Sequence, residues 1–145
     1  MKLNRKHITI LLIQLTEVLG FSLILPFLPL LAQKLGATPL QIGLIATSFS
    51  LFQFVSAPIM GGLSDVYGRR PLLILSQFST LISFLLLGMA NALPLIYMSR
   101  IVDGLVGSNG TITQAYISDI TSKEDRIKMF GIMGIACVLG FLVGP

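Results

Sequence analysis

Apolar residues run in five long stretches, Ile8–Leu31, Leu40–Met60, Pro71–Ala90, Leu93–Ile117 and Met129–Pro145, joined by short polar links. A helix that crosses a membrane needs about 20 mostly apolar residues. The first four stretches reach that length, and each is predicted to be a spanning helix. The fifth has 17 residues. At helical pitch it rises roughly 25 Å, short of a hydrocarbon core of ~30 Å. The sequence is therefore expected to be cut inside its fifth helix. The punctuation fits these spans. Thr38-Pro39-Leu40-Gln41 supplies a capping hydroxyl, a proline in the first turn and a glutamine to close the box. Thr121-Ser122-Lys123-Glu124 predicts a second capping box before the fifth helix. Gly36 and the pair Asn91/Pro94 mark short turns, and Pro26, Pro29 and Pro58 fall inside spans, where they are expected to kink helices.

Composition supports a membrane protein. Apolar residues make up 54% of the chain and charged residues 11%, whereas soluble domains carry about 25% charge. The charges are also asymmetric. One side collects Lys2, Arg5, Lys6, Arg69, Arg70, Lys123, Arg126 and Lys128, and the other holds only Lys34. The basic side is expected to be cytoplasmic, with the N-terminus inside. The net charge of +4 is thus a topology signal, and no basic, aromatic-interleaved patch points to nucleic acid. A cleaved signal peptide fits poorly, because the first apolar run is too long and Glu17 interrupts it. Cys137 and His7 are each alone, so neither a disulfide framework nor a metal cluster is expected. No nucleophile with a base and no phosphate loop stands out. The chain reads as a non-enzyme without a cofactor.

Three charges lie within predicted spans: Glu17 in the first, Arg100 and Asp103 in the fourth. A charge near the bilayer centre costs about 2.5–3.5 kcal/mol on insertion scales. Such groups face a protein interior or a watery path. Arg100 and Asp103 are three apart on one helix face and can neutralise each other. That makes them a structural ion pair, a transport element, or both. Glu17 follows Gln14 by one turn and precedes Phe21 by one turn. Its position favours a role in moving protons or substrate. Gly104, Gly107, Ser108 and Gly110 allow close helix contact. Asn109, Thr111, Thr113 and Gln114 add polar groups further along, and Gln53 and Ser56 could join them in a cavity wall. The fifth helix is dense in glycine: Gly131, Gly134, Gly140 and Gly144, then Pro145. The link Gly61–Pro71 holds Asp65, Arg69 and Arg70 beside Gly61, Gly62 and Gly68. Its arginines set topology, while Asp65 and the glycines ask for another reason. Gly68 is expected to supply a left-handed turn.

Gly61-x-Leu63-x-Asp65-x-x-Gly68-Arg69-Arg70 resembles the signature loop between the second and third helices of the major facilitator superfamily. Arg100 through Gly107 is similar to that family's helix 4 motif, and Gly140 through Pro145 to the start of its antiporter motif in helix 5. Glu17-Val18-Leu19-Gly20 with Pro26 and Pro29, and Ala115 through Thr121, resemble the tetracycline and multidrug efflux branch, the drug/proton antiporters. The resemblance implies an all-α membrane protein. Residues 1–145 would form a partial N-terminal bundle, the first five transmembrane helices of a twelve-helix fold in the plasma (inner) membrane. It implies efflux of drugs or other small amphipathic compounds by alternating access. The partners would be the lipid bilayer, protons, a small-molecule substrate and the missing C-terminal helices. Glu17, Gln14, Arg100, Asp103 and Asn109 would lie on the proton or substrate path. Gly61, Asp65, Gly68, Arg69, Arg70, Asp119 and Arg126 would form a cytoplasmic gate. Gly104, Gly107, Ser108, Gly140, Gly144 and Pro145 would pack helices. Three positions depart from the branch. Glu17 stands where tetracycline exporters have aspartate, Asp103 where the family is usually uncharged, and Ser83 where an acid is expected in helix 3. The last departure argues against tetracycline itself. The alternatives are a nutrient facilitator or symporter of the same superfamily and a small non-transport assembly or sensor module. Taken alone, residues 1–145 are expected not to transport.

Overall fold

Each apolar run becomes helix, and the polar links shrink to a few residues. A computed structural model describes residues 4–107 and 109–145. Its helices are α1 (Arg5–Lys34), α2 (Pro39–Tyr67), α3 (Arg69–Gly88), α4 (Leu93–Val106), α5 (Asn109–Ile120) and α6 (Arg126–Val143). No strand occurs among the described residues. α1, α2, α3 and α6 are each long and apolar enough to cross a membrane. Large apolar side chains point outward, Phe54 being 80% exposed and Leu142 78%. Such a surface is stable against lipid rather than water. Lys2 and Ser108, both singled out from the sequence, lie outside the described residues.

The chain divides into two compact units. One runs from Leu28 to Ile112 and holds α2, α3 and α4. In it α4 packs on both α2 and α3. The buried stripe of α3 is Leu72, Leu73, Ser76, Ser79, Ser83 and Leu87, at three- and four-residue spacing. Its serines do more than fill space. Ser79 Oγ donates to the Val102 carbonyl at 3.0 Å and Ser83 Oγ to the Ser99 carbonyl at 2.8 Å. From α2, Ser56 Oγ donates to the Leu105 carbonyl at 2.5 Å. Hydroxyls that bond across helices hold them together where lipid supplies no hydrophobic drive. The other unit joins α1 up to Phe27 with Thr113–Pro145. Its core is Ile10, Ile117, Met129 and Met133, with Leu11, Tyr116, Ile120 and Ile132 against it. There Ser22 Oγ donates to the Gly140 carbonyl at 3.1 Å, and Phe21 meets Phe141 edge to face at 6.2 Å between centroids.

The first capping box forms as the sequence predicts. Thr38 Oγ1 accepts from the Gln41 backbone at 3.3 Å, and Gln41 Oε1 accepts from the Thr38 backbone at 2.8 Å. The second does not form. Residues Lys123 to Asp125 are turn, α6 begins at Arg126, and no side chain caps it. Ser122 Oγ instead accepts from the Asp125 backbone at 3.3 Å. The Thr121 hydroxyl is turned away to His7 Nε2, 3.3 Å off. Two further expectations change. The span expected over Leu93–Ile117 is interrupted after Val106: the Gly107 N–H still makes the helical bond to the Asp103 carbonyl at 2.7 Å, but ψ at Gly107 is 36° and α4 ends there. The expected loop 61–71 is mostly helix. α2 continues to Tyr67 and α3 starts at Arg69, leaving Gly68 alone between them. Polar residues at a helix end cost nothing where water can reach them, so charge there did not mean loop.

Candidate functional site

The unit formed by residues 28–112 holds a continuous buried polar network. Its centre is Arg100 on α4, 2% exposed. Each guanidinium nitrogen has an acceptor on α3 or α4. Nη1 lies 3.4 Å from Asp103 Oδ2, Nη2 donates to Ser83 Oγ at 2.9 Å, and Nε reaches Ser99 Oγ at 3.5 Å. The Phe49 ring of α2 lies over the guanidinium, 5.8 Å to its centroid. Asp103, 8% exposed, also accepts from Thr80 Oγ1 at 3.1 Å. Thr80 in turn accepts from Asn109 Nδ2 at 3.3 Å, and Ser76 donates to Asn109 Oδ1. Helix geometry explains the assembly. Arg100 and Asp103 share a face of α4 toward α3, while Ser76, Thr80 and Ser83 line α3 at four- and three-residue spacing. Breaking the helix at Gly107 restarts the chain at Asn109, whose fully buried side chain ties α5 back to α3.

Of the path residues read from the sequence, Arg100, Asp103 and Asn109 therefore meet in one network. The sequence reading missed Ser76, Thr80 and Phe49. A run of hydroxyls at helical spacing in an apolar span was the available signal. Ser56 is taken up by its bond to Leu105, and the backbone N of Gln53 lies 3.3 Å from where a Gly104 Cβ would sit. Gln14 and Glu17 belong to the other unit. Both are half-buried on α1, and Gln14 Oε1 is buried without a hydrogen-bond partner. Thr113 there is fully buried, and its Oγ1 also lacks a partner.

The proposed gate residues divide in the same way. Asp65 and Arg69 face each other across the Gly68 break at 2.5 Å. Arg69 also donates to Ser64 Oγ, which donates to the Gly61 carbonyl at 2.7 Å. The Asp65 side chain is 63% exposed, so this pair contributes at most about 1 kcal/mol. Arg70 is exposed. In the other unit Arg126 Nη2 donates to the Ser118 carbonyl at 2.6 Å, the placement expected of a cation at the end of α5. Asp119 is exposed. Among the packing residues, Gly104 sits where α2 and α4 nearly touch, and an added Cβ would lie 2.7 Å from the Phe49 carbonyl oxygen. Added Cβ atoms at Gly140 and Gly144 would run into Val18 and Ser22, and one at Gly107 into Asp103. Pro145 is exposed.

Gly68 has φ 95° and ψ 154°, a region essentially confined to glycine. Gly68→Ala is expected to lower stability by roughly 1–3 kcal/mol, although nothing crowds the site. A thermal melt of the purified variant in detergent checks this, and an unchanged midpoint would show that the hinge accepts another conformation.

Residues 10–145 match the family model described as Major Facilitator Superfamily. Over 93% of its length the chain is 36% identical to the tetracycline resistance protein, class B, of Escherichia coli. It is 32% identical over 99% of its length to the class H protein of Pasteurella multocida. The solved human organic anion transporter MFSD10 (TETRAN) superposes with a TM-score of 0.85 at 26% identity over 96% of the chain. The chain spans about a third of the length of these relatives, 34% and 36% for the two resistance proteins and 39% for the human transporter.

Proposed function

Because the chain belongs to the Major Facilitator Superfamily and is an integral, multi-pass membrane protein, we propose that it forms the N-terminal part of a proton-coupled exporter of small amphipathic compounds. The observation that carries this reading is the buried Arg100–Asp103 pair with its hydroxyl ladder. Charges this deep in an apolar bundle are costly, and they recur along ion and substrate paths. The resemblance to tetracycline resistance proteins supports export as its direction. In this reading Glu17 takes up the proton, and protonation relieves the cost of holding its charge among apolar helices. Arg100 tunes the path from α4. Asp65, Gly68 and Arg69 act at the cytoplasmic end, where an acid can meet a helix N-terminus of the opposing half in one state and leave it in the other.

A second reading is organic anion transport. The structural neighbour MFSD10 carries that description, and Arg100 is a cation of the right kind to meet an anion. Everted vesicles holding the full-length protein test the first reading. A proton gradient is expected to drive accumulation of a cationic dye, and a protonophore to abolish it. Glu17→Gln is expected to lose the proton-driven component while dye exchange down its own gradient persists. If Glu17→Gln and Asp65→Asn both leave proton-driven transport unchanged, the assigned path is wrong.

A further inference from the structure

Building on the export reading, we infer that Asp103 is a specificity-determining residue: it cancels Arg100 inside the bundle, so the transporter accepts cationic and neutral amphipathic compounds and excludes organic anions. An arginine stays charged under all biological conditions, and its forked donors suit a carboxylate better than any other side chain. Alone in an apolar span, Arg100 would be an anion site. Here an acid of the same helix occupies it. Asp103 Oδ2 sits 3.4 Å from Nη1, and Ser83 and Ser99 take the other two nitrogens. Among the described residues, no acceptor for it comes from outside α3 and α4.

The same ladder ends on Asp103. Ser76 donates to Asn109 Oδ1, Asn109 Nδ2 donates to Thr80, and Thr80 donates to Asp103 Oδ1. Ser76 Oγ also lies 3.2 Å from the Leu73 carbonyl, while the Asn109 and Thr80 donors point toward the carboxylate. Asp103 thus accepts at Oδ1 from Thr80, while its Oδ2 is ion-paired with Arg100 at 3.4 Å. A hydroxyl at one oxygen and a guanidinium at the other is a setting that suits a carboxylate. A chain of bonds aligned in one direction is mutually reinforcing. The pair is then formally neutral. A substrate carboxylate would have to displace Asp103 and meet its repulsion, whereas a cation meets no net charge. Thr80 and Asn109 are positioning residues for this balance.

Rhodamine 123 and fluorescein share a xanthene ring system and carry opposite charge, which makes them suitable probes. Their binding to the purified full-length protein is measured by fluorescence polarisation, and their movement in proteoliposomes. The wild type is expected to bind and move rhodamine 123 and to exclude fluorescein. Asp103→Asn keeps the shape and leaves Arg100 its charge, so fluorescein binding is expected to tighten by about tenfold or more. Arg100→Gln combined with Asp103→Asn is expected to remove that gain. Fluorescein binding the wild type as tightly as rhodamine 123 overturns the inference and leaves export standing, and this comparison needs no variant to fold. A folded Asp103→Asn protein with unchanged dye preference overturns it too. Failure of both dyes to bind overturns the export reading and the inference together.

Discussion

Gly104→Val is expected to be among the most damaging single substitutions in the chain, because it separates α2 from α4. The Cβ alone would lie 2.7 Å from the Phe49 carbonyl oxygen and 2.9 Å from the Phe52 Cβ. The first of these is backbone and cannot swing aside. The bond from Ser56 Oγ to the Leu105 carbonyl, at 2.5 Å, depends on the same close approach. Arg100 rests under Phe49 on the same stretch of α2. Overpacking a close helix contact costs about 1–3 kcal/mol, and the loss of these contacts adds to it. Gly43 provides the contrast. It lies in α2 with nothing within 4 Å of an added Cβ, so Gly43→Ala is expected to be neutral or to stabilise by up to ~1 kcal/mol. Thermal midpoints of both purified variants in detergent decide the matter. Equal midpoints would mean that α2 and α4 have room to move apart at no cost.

Features that depend on neighbours in sequence could be read before the structure. The Thr38 box is local: its four residues fix both of its bonds. The long apolar runs were equally plain, because hydropathy over 20 residues averages out local detail. The break after Val106 was hidden for the same reason. A hydropathy window sees an apolar stretch on both sides of Gly107, whereas the interruption lies in the backbone, which leaves helical geometry at Gly107 with ψ 36°. In the Gly61–Pro71 segment, charge was mistaken for irregular backbone. Asp65 lies in the last turn of α2 and Arg69 opens α3, and their ion pair bridges Gly68. Within the candidate site, Arg100, Asp103 and Asn109 stood out as polar groups in an apolar span. Ser76 and Thr80 did not, since a lone hydroxyl can satisfy itself on its own helix, and Ser83 stood out only as a missing acid. What gives them their place is the partner on α4 or α5, and a single sequence does not say which helices touch.

Asp103→Ala is expected to destabilise the protein by about 3–5 kcal/mol, the usual cost of leaving half of a buried ion pair behind. The guanidinium, 2% exposed with Asp103 in place, would be left with Ser83 and Ser99 as its described acceptors. Thr80 would lose the acceptor for its proton, and the ladder through Asn109 and Ser76 would end on an unmade bond. Arg100→Met is expected to cost a similar amount, since it strands the carboxylate in the same apolar surroundings. The combined variant should then be more stable than either single one, because a pair of apolar side chains replaces a pair of desolvated charges. Denaturant titration of the four proteins in one detergent gives the cycle. A pair that holds the helices together in proportion to its contacts would instead make the losses add. Additive losses would therefore show that Arg100 and Asp103 act through separate partners, and would remove the charge balance on which the dye selectivity rests. Non-additive losses with intact folding would show that the two charges are kept at a cost to stability. A bundle that needed only stability could have filled that space with apolar side chains.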